Sequence, residues 1–386
     1  MQRSDDRILT THVGSLPRSP AFTDLILQRE SSEHFDAAEF EREAGQAIAH
    51  VVREQIEAGI DVINDGEQPR PGFSTYVYQR MQGFGGVSER PVLRDMDEYP
   101  DYAEMVVARL KKTAKMMDAP QAIAAVSYDD LSEARRECGL FREASEGYAG
   151  RFVERFMSAA SPGIISTTLL NAHYPTHEDY VFALAREMKK EYAFVTSQGY
   201  LLQIDCPDLA MEWSFALKGI SLDDFKKTVA MHIEAINVAT EGIAPDRIRL
   251  HVCWGNYDGP HVHDIALEEI LPFLYEANVG ALSLGFANPR HQHELAVIKA
   301  NPPPGEMLFL PGVIDSTRNY VEHPEVVAQR IEAAADAVGD PSRVIASTDC
   351  GFGTFAGWQE VAESVVWEKF RALREGAAIA SQRLWG

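Results

Sequence analysis

His251-Val252-Cys253 ends a short apolar run that begins at Arg249. In an extended strand alternate side chains share a face, so His251 and Cys253 point the same way. Two such donors can converge on one metal ion. A third soft donor, Cys350, stands in Ser347-Thr348-Asp349-Cys350-Gly351-Phe352, past the end of a later apolar run. One imidazole and two thiolates suit Zn2+. The same spacing also suits two inward side chains of a barrel core, and H-x-C alone does not separate these readings. Of the other two cysteines, Cys206 reads as a small buried apolar residue. Cys138, beside Arg135 and Arg136, reads as structural or surface.

The elements that must position these donors follow a repeated pattern. Eight short apolar runs each lead into polar or reactive residues: Ile8 to Val13, Ile60 to Asn64, Gly163 to Ser166, Leu201 to Ile204, Arg249 to Val252, Ala281 to Leu284, Leu308 to Val313 and Val344 to Ser347. Amphipathic helical stretches lie between them, such as Glu39 to Ala58, Glu178 to Gln198, Leu222 to Glu241 and Pro324 to Val338, with a final run from Glu360 to Leu384. The alternation predicts the α/β class, as a (β/α)8 TIM barrel over residues 1–386 with its site on the C-terminal rim of the strands. Residues from about 80 to 150 break the pattern and read as a lid-like insertion. A doubly wound sheet would show the same alternation, but no Gly-rich dinucleotide fingerprint follows the first run.

Charge narrows the partners. Lys and Arg number 36 against 58 Asp and Glu, a net charge of −22. That excludes a basic nucleic-acid footprint and disfavours an acidic membrane surface. No run approaches the ~20 apolar residues of a membrane span. The charged N-terminal residues do not read as a signal peptide. Four cysteines in so long a chain do not make a disulfide framework. These features predict a cytoplasmic protein that works on small molecules; a homo-oligomer stays open.

Five blocks together resemble the catalytic barrel of cobalamin-independent methionine synthase and its one-barrel relatives. They are Thr10-Thr11-His12-Val13-Gly14-Ser15-Leu16-Pro17, the segment Gly59 to Glu67, Gln203-Ile204-Asp205-Cys206-Pro207, His251-Val252-Cys253 and Asp349-Cys350-Gly351, in the family's order. The resemblance implies a zinc-dependent alkyl transfer to a thiol such as homocysteine. It implies His251, Cys253 and Cys350 as metal ligands. Glu67 and Asp205 would act as catalytic and substrate-binding residues holding an ammonium group, with Ser15 near the substrate carboxylate. Read alone, Glu67 and Asp205 also suit a loop cap and a helix N-cap.

The match breaks in places. The family's fourth zinc ligand, a Glu, aligns with Gly285; water, the thiol, or His291, His293 or Glu294 could take its place. A His of the family's seventh-strand segment aligns with Thr317. The aromatic of its N-W pair aligns with Ala172, followed by His173. The N-terminal barrel of the full-length enzymes is absent. The zinc-thiolate half is thus kept and the folate half altered, so the alkyl donor could be a folate, a corrinoid or an epoxide. The epoxyalkane:coenzyme M transferases share the one-barrel plan and are the alternative; candidate acids for epoxide opening are His12, Tyr257, His261 and His263. Further alternatives are a non-catalytic zinc- or thiol-binding protein and an enzyme like uroporphyrinogen decarboxylase.

Overall fold

The computed structural model describes residues 1–31, 35–109, 113–114, 119–215 and 220–386. Its strands, in chain order, are β1 (Leu9–Thr10), β2 (Val62–Ile63), β3 (Gln82–Gly85), β4 (Gln121–Ser127), β5 (Glu154–Ala160), β6 (Leu201–Asp205), β7 (Ile248–Val252), β8 (Ala281–Gly285), β9 (Leu308–Ile314) and β10 (Ile345–Thr348). Eight of them form one sheet in the order β1-β10-β9-β8-β7-β6-β5-β2, with every pairing parallel. The two edge strands nearly meet. Asp61 N–H donates to Thr10 O at 3.1 Å and the Thr11 hydroxyl to Val62 O at 3.0 Å. The result is the predicted (β/α)8 TIM barrel. The helices are α1 (Pro20–Ser31), α2 (Ala37–Ala58), α3 (Arg94–Glu98), α4 (Pro100–Arg109), α5 (Ser132–Glu146), α6 (Pro162–Thr168), α7 (His177–Ser197), α8 (Glu212–Phe215), α9 (Leu222–Ala239), α10 (Leu267–Leu274), α11 (Leu295–Ala300), α12 (Pro324–Val338) and α13 (Glu363–Trp385).

Strand parity sorts the barrel. Leu202, Ile204, Leu250, Val252, Leu282 and Leu284 point outward into the core beneath the helices. Gln203, Asp205, Arg249 and His251 occupy the alternate, inward positions. The bottom of the interior is apolar, with Leu9, Ala281, Leu308 and Ile345 packed together. Above it Arg249 is buried over the Phe156 ring, 3.6 Å from its centre. Pairing register sets Asp205 beside His251 and His251 beside Ser283, so these three share one level near the top.

One expected strand is a helix. Gly163 to Ser166 lies in α6, because the Ser161 hydroxyl accepts the Ile164 N–H at 2.9 Å and Pro162 stands at the first turn. A capping serine followed by proline starts a helix, whatever the apolar run after it suggests. The strand is β5, just upstream. Within residues 80 to 150, part of which lies outside the described residues, β3 and β4 pair antiparallel. Helix α5 packs against α2 and α7 as an outer barrel helix. The segment around α3 reaches back over the rim. Arg90 pairs with Glu212, and Asp95 accepts the His261 N–H at 2.7 Å. Among the described residues no helix is long and apolar enough to cross a membrane.

Candidate active site

His251 is the last but one residue of β7, Cys253 follows the strand on the same face, and Cys350 stands two residues past β10. Their ligand atoms all lie within 4.8 Å of one another. His251 Nδ1 is 3.4 Å from the Ser283 hydroxyl, whereas Nε2 is buried without a hydrogen-bond partner. The Cys253 thiol is held well below its usual range by the neighbouring Cys350 and by the His251 imidazole beside it, despite burial. Cys350 is pushed well up by that same partner and by burial. Two cysteine sulfurs thus lie beside an imidazole nitrogen that has no hydrogen-bond partner of its own. This donor set fits a divalent metal, which would satisfy all three atoms.

The position that aligns with the family's Glu is built differently. A side chain at Gly285 would meet Asp349 at 3.2 Å, and one at Gly312 would meet Asp349 Oδ1 at 2.2 Å. The two glycines clear room for Asp349, whose oxygens accept the N–H groups of Ala287 and Asn288, each at 2.8 Å. Burial lifts this carboxyl to about 7. His291, His293 and Glu294 are not in the His251 group.

The acidic pair faces the same space. Asp205 Oδ1 accepts from Gln203 Nε2 at 2.7 Å. Arg249 Nε donates to Gln203 Oε1 at 2.7 Å, which fixes that amide so that its nitrogen must face Asp205. Glu67 sits at φ +54°, a strained conformation for a residue with a side chain. Arg18 Nη2 holds its carbonyl at 2.7 Å, and its N–H donates to Asp65 Oδ1 at 3.0 Å. Ser158 donates to Glu67 Oε1 at 2.6 Å, while Oε2 is buried without a partner. Burial and the neighbouring Glu67 push the Asp205 carboxyl well above its usual range. Two buried carboxyls that face one cavity, neither in a direct ion pair among the described residues, suit an ammonium group.

Gly14 is the condition for this geometry. Its φ is +148°, and a Cβ there would stand 2.5 Å from Glu67 Oε1. Gly14→Ala is expected to cost about 1–2 kcal/mol in backbone strain and to displace Glu67. Thermal unfolding and calorimetric titration with an aminothiol check this: stability and binding should fall together.

Ser15, Glu67, Asp205, His251, Cys253 and Cys350 all line one cavity of about 320 Å3. The structure thus brings together all six residues singled out in the sequence. Ser15 Oγ is 3.4 Å from the Gly353 N–H. Of the candidate acids, Tyr257 lines this cavity. His12 is buried against Phe156 and Phe370, with Nε2 2.8 Å from Gln55 Oε1. Burial drives it down to about 3. His263 pairs with Glu98 at 2.6 Å.

A second cluster has no counterpart in the sequence reading. Asp264 Oδ2 lies 2.9 Å from His261 Nδ1 and 2.8 Å from His291 Nε2, and His291 Nδ1 lies 2.9 Å from Glu294. His293, two residues on from His291, is exposed and stands outside this cluster. The i, i+3 spacings His261–Asp264 and His291–Glu294 were available as a signal; their meeting was not. Burial pulls His291 down, but hydrogen bonds to Asp264 and Glu294 outweigh it and raise it to about 9. Its unfolded value is near 6.5, so its stabilisation is full below that pH and fades as pH rises through about 9. His291→Gln should therefore lower the urea midpoint most at the acidic end of this window, and the gap to the parent should narrow above it.

The family model described as "Cobalamin-independent synthase, Catalytic domain" matches residues 8–131. A 2-hydroxypropyl-CoM lyase of Xanthobacter autotrophicus is 24% identical, over 98% of this chain and 96% of its own. The chain is thus similar in sequence to the 2-hydroxypropyl-CoM lyase and, over its first third, to the catalytic domain of cobalamin-independent synthases. A methionine synthase of Sulfolobus acidocaldarius is 23% identical over 89% of this chain and 85% of its own. The structure of a B12-independent methionine synthase from a Shewanella species, in complex with selenomethionine, superposes with a TM-score of 0.72. At 20% identity it covers 98% of this chain and 99% of that one, which establishes the shared fold.

Proposed function

We propose that the protein is a zinc-dependent transferase that moves an alkyl group, in the simplest case a methyl group, to the sulfur of an aminothiol such as homocysteine. The observation that carries this reading is the meeting of the metal-ligand trio and the acidic pair in one cavity. His251, Cys253 and Cys350 would hold the zinc. Zinc bound to a thiol lowers its pKa and so supplies a nucleophile at neutral pH. Glu67 and Asp205 bind the ammonium group and so orient the substrate, with Ser15 near its carboxylate. Burial of all three withdraws water from the thiol and strengthens each polar contact.

Epoxide opening by coenzyme M is the second reading, favoured by the 2-hydroxypropyl-CoM lyase relative. The acidic pair argues against it, because a sulfonate without an amine would face two carboxyls. The test is thioether formation by zinc-loaded protein with homocysteine or coenzyme M against methyl and epoxide donors. Turnover with homocysteine supports the proposal. Turnover with coenzyme M alone supports the second reading, and inertness with every pair contradicts both.

A further inference from the structure

The cluster around Asp264 is built as a ligand set. His261 Nδ1 and His291 Nε2 stand 2.9 and 2.8 Å from one oxygen, Asp264 Oδ2. The ligand atoms of these three residues all lie within 4.8 Å of one another. Donors bound to one first-row ion, each about 2.0–2.2 Å from it, stand roughly 2.9–3.4 Å apart. The carboxylate is therefore already at ligand spacing from both imidazoles, and the two loops need only close slightly to seat an ion.

Each ring is held in place by its other nitrogen. His261 Nε2 faces Tyr257 O at 3.1 Å, and His291 Nδ1 faces Glu294 Oε2 at 2.9 Å. A carbonyl and a carboxylate accept, so these nitrogens carry hydrogen, and the nitrogens facing Asp264 are the ones that can bind an ion. Outer acceptors of this kind fix the tautomer and strengthen the ligand in metal sites. Stacking fixes the ring planes as well. Tyr257 lies over His261 with centres 4.1 Å apart, and Trp254 over His291 at 3.9 Å. Ser214 donates to Asp264 Oδ1 at 3.2 Å, which leaves Oδ2 for the ion. His261 is kept at φ +54°, a conformation that costs energy outside glycine. All three side chains are more than nine-tenths buried. His261 and His291 also line a small cavity of about 30 Å3, together with Asn288, Ser316, Cys253 and Cys350. That is room for a water or two beside the ion.

We propose that His261, Asp264 and His291 form a second metal site, for a divalent first-row transition ion that keeps water in its open positions. Two nitrogens, one oxygen and no sulfur suit Fe2+, Co2+ or Zn2+ and not a soft ion. The site is weaker than the trio. No thiolate contributes, and the ion must displace the hydrogens that the imidazoles otherwise direct at Asp264. Dialysed protein therefore keeps only the trio's zinc, and the second ion binds when free metal is present. Once bound, it ties the loop after β7 to the loop after β8 and clamps Trp254, the neighbour of Cys253, beneath His291. The site stands independently of the thiol-alkylation reading.

The test is a cobalt titration of dialysed protein whose trio holds zinc. One further Co2+ per chain should bind, with visible d–d bands and no near-ultraviolet thiolate band. Proton spectra should gain two paramagnetically shifted exchangeable signals, from His261 Nε2–H and His291 Nδ1–H. Asp264→Asn and His291→Gln should each weaken this ion about a hundredfold, and Glu294→Gln, which alters an outer contact, about tenfold. Zinc content after dialysis reports the trio separately and should stay unchanged in all three. No further ion in the parent, a further ion with a thiolate band, or affinity indifferent to both ligand variants overturns the proposal. The parent's stoichiometry and proton signals decide it even where a variant fails to fold.

Discussion

Cys350→Ala is expected to strip the protein of its zinc and abolish transfer, while the barrel stays folded. Parent protein purified without chelators should carry about one zinc per chain. Three side-chain donors share a binding energy of about 10 kcal/mol or more in comparable sites, so losing one costs roughly 3 kcal/mol, over a hundredfold in affinity. Cys350 lies in the loop after β10 and is partly exposed, so its truncation opens no cavity in the packed core. Metal analysis after dialysis, with circular dichroism as the fold control, reads both effects. Retention of stoichiometric zinc by the variant would show that Cys350 is not a ligand.

Asp205→Asn should separate stability from function. The Asp205 carboxyl is buried and raised well above its usual range, first by burial and then by Glu67. A raised carboxyl pKa means that the folded state holds a proton which the unfolded state has released. Stability from this group is therefore full below the unfolded value of 3.8 and falls as pH rises toward the folded value. Asparagine keeps the oxygen that accepts from Gln203 and removes the titration, so Tm should rise at neutral pH, and the gain should vanish in acid. Binding moves the other way. A charge-assisted hydrogen bond of about 1.5–3 kcal/mol is lost, which raises KM for the aminothiol about tenfold to a hundredfold, with a smaller change in kcat. A buried carboxyl that holds a proton until a cationic ligand replaces it gives up stability in favour of binding. An unchanged KM would remove Asp205 from the ammonium site.

What the sequence made legible follows strand parity. His251 and Cys253 share a face because they are two residues apart on a strand, and that needs no knowledge of the rest. Cys350 joins them only because parallel pairing from β7 to β10 curls the sheet round to bring its end opposite. The resemblance, more than the spacing, supplied that link. The Gly163 to Ser166 error arose because β5 hides its strand character: Glu154-Arg155-Phe156-Met157-Ser158-Ala159-Ala160 has no β-branched residue and begins with two charges. The Asp264 cluster joins the loops after β7 and β8, and such contacts leave no periodic trace. The apolar wall of the main cavity was equally hidden, since Leu93, Met96 and Val106 line it from the segment that broke the repeating pattern.

The central claim is that the trio presents a metal to the substrate's sulfur. Cobalt(II), substituted for zinc, gives a near-ultraviolet thiolate-to-metal band whose strength follows the number of bound sulfurs. Titrating cobalt-loaded protein with homocysteine should raise that band by about half, as a third thiolate joins Cys253 and Cys350. Homoserine, which lacks the sulfur, should leave it unchanged. A band indifferent to homocysteine, in protein that keeps its cobalt and binds the amino acid, would contradict the account.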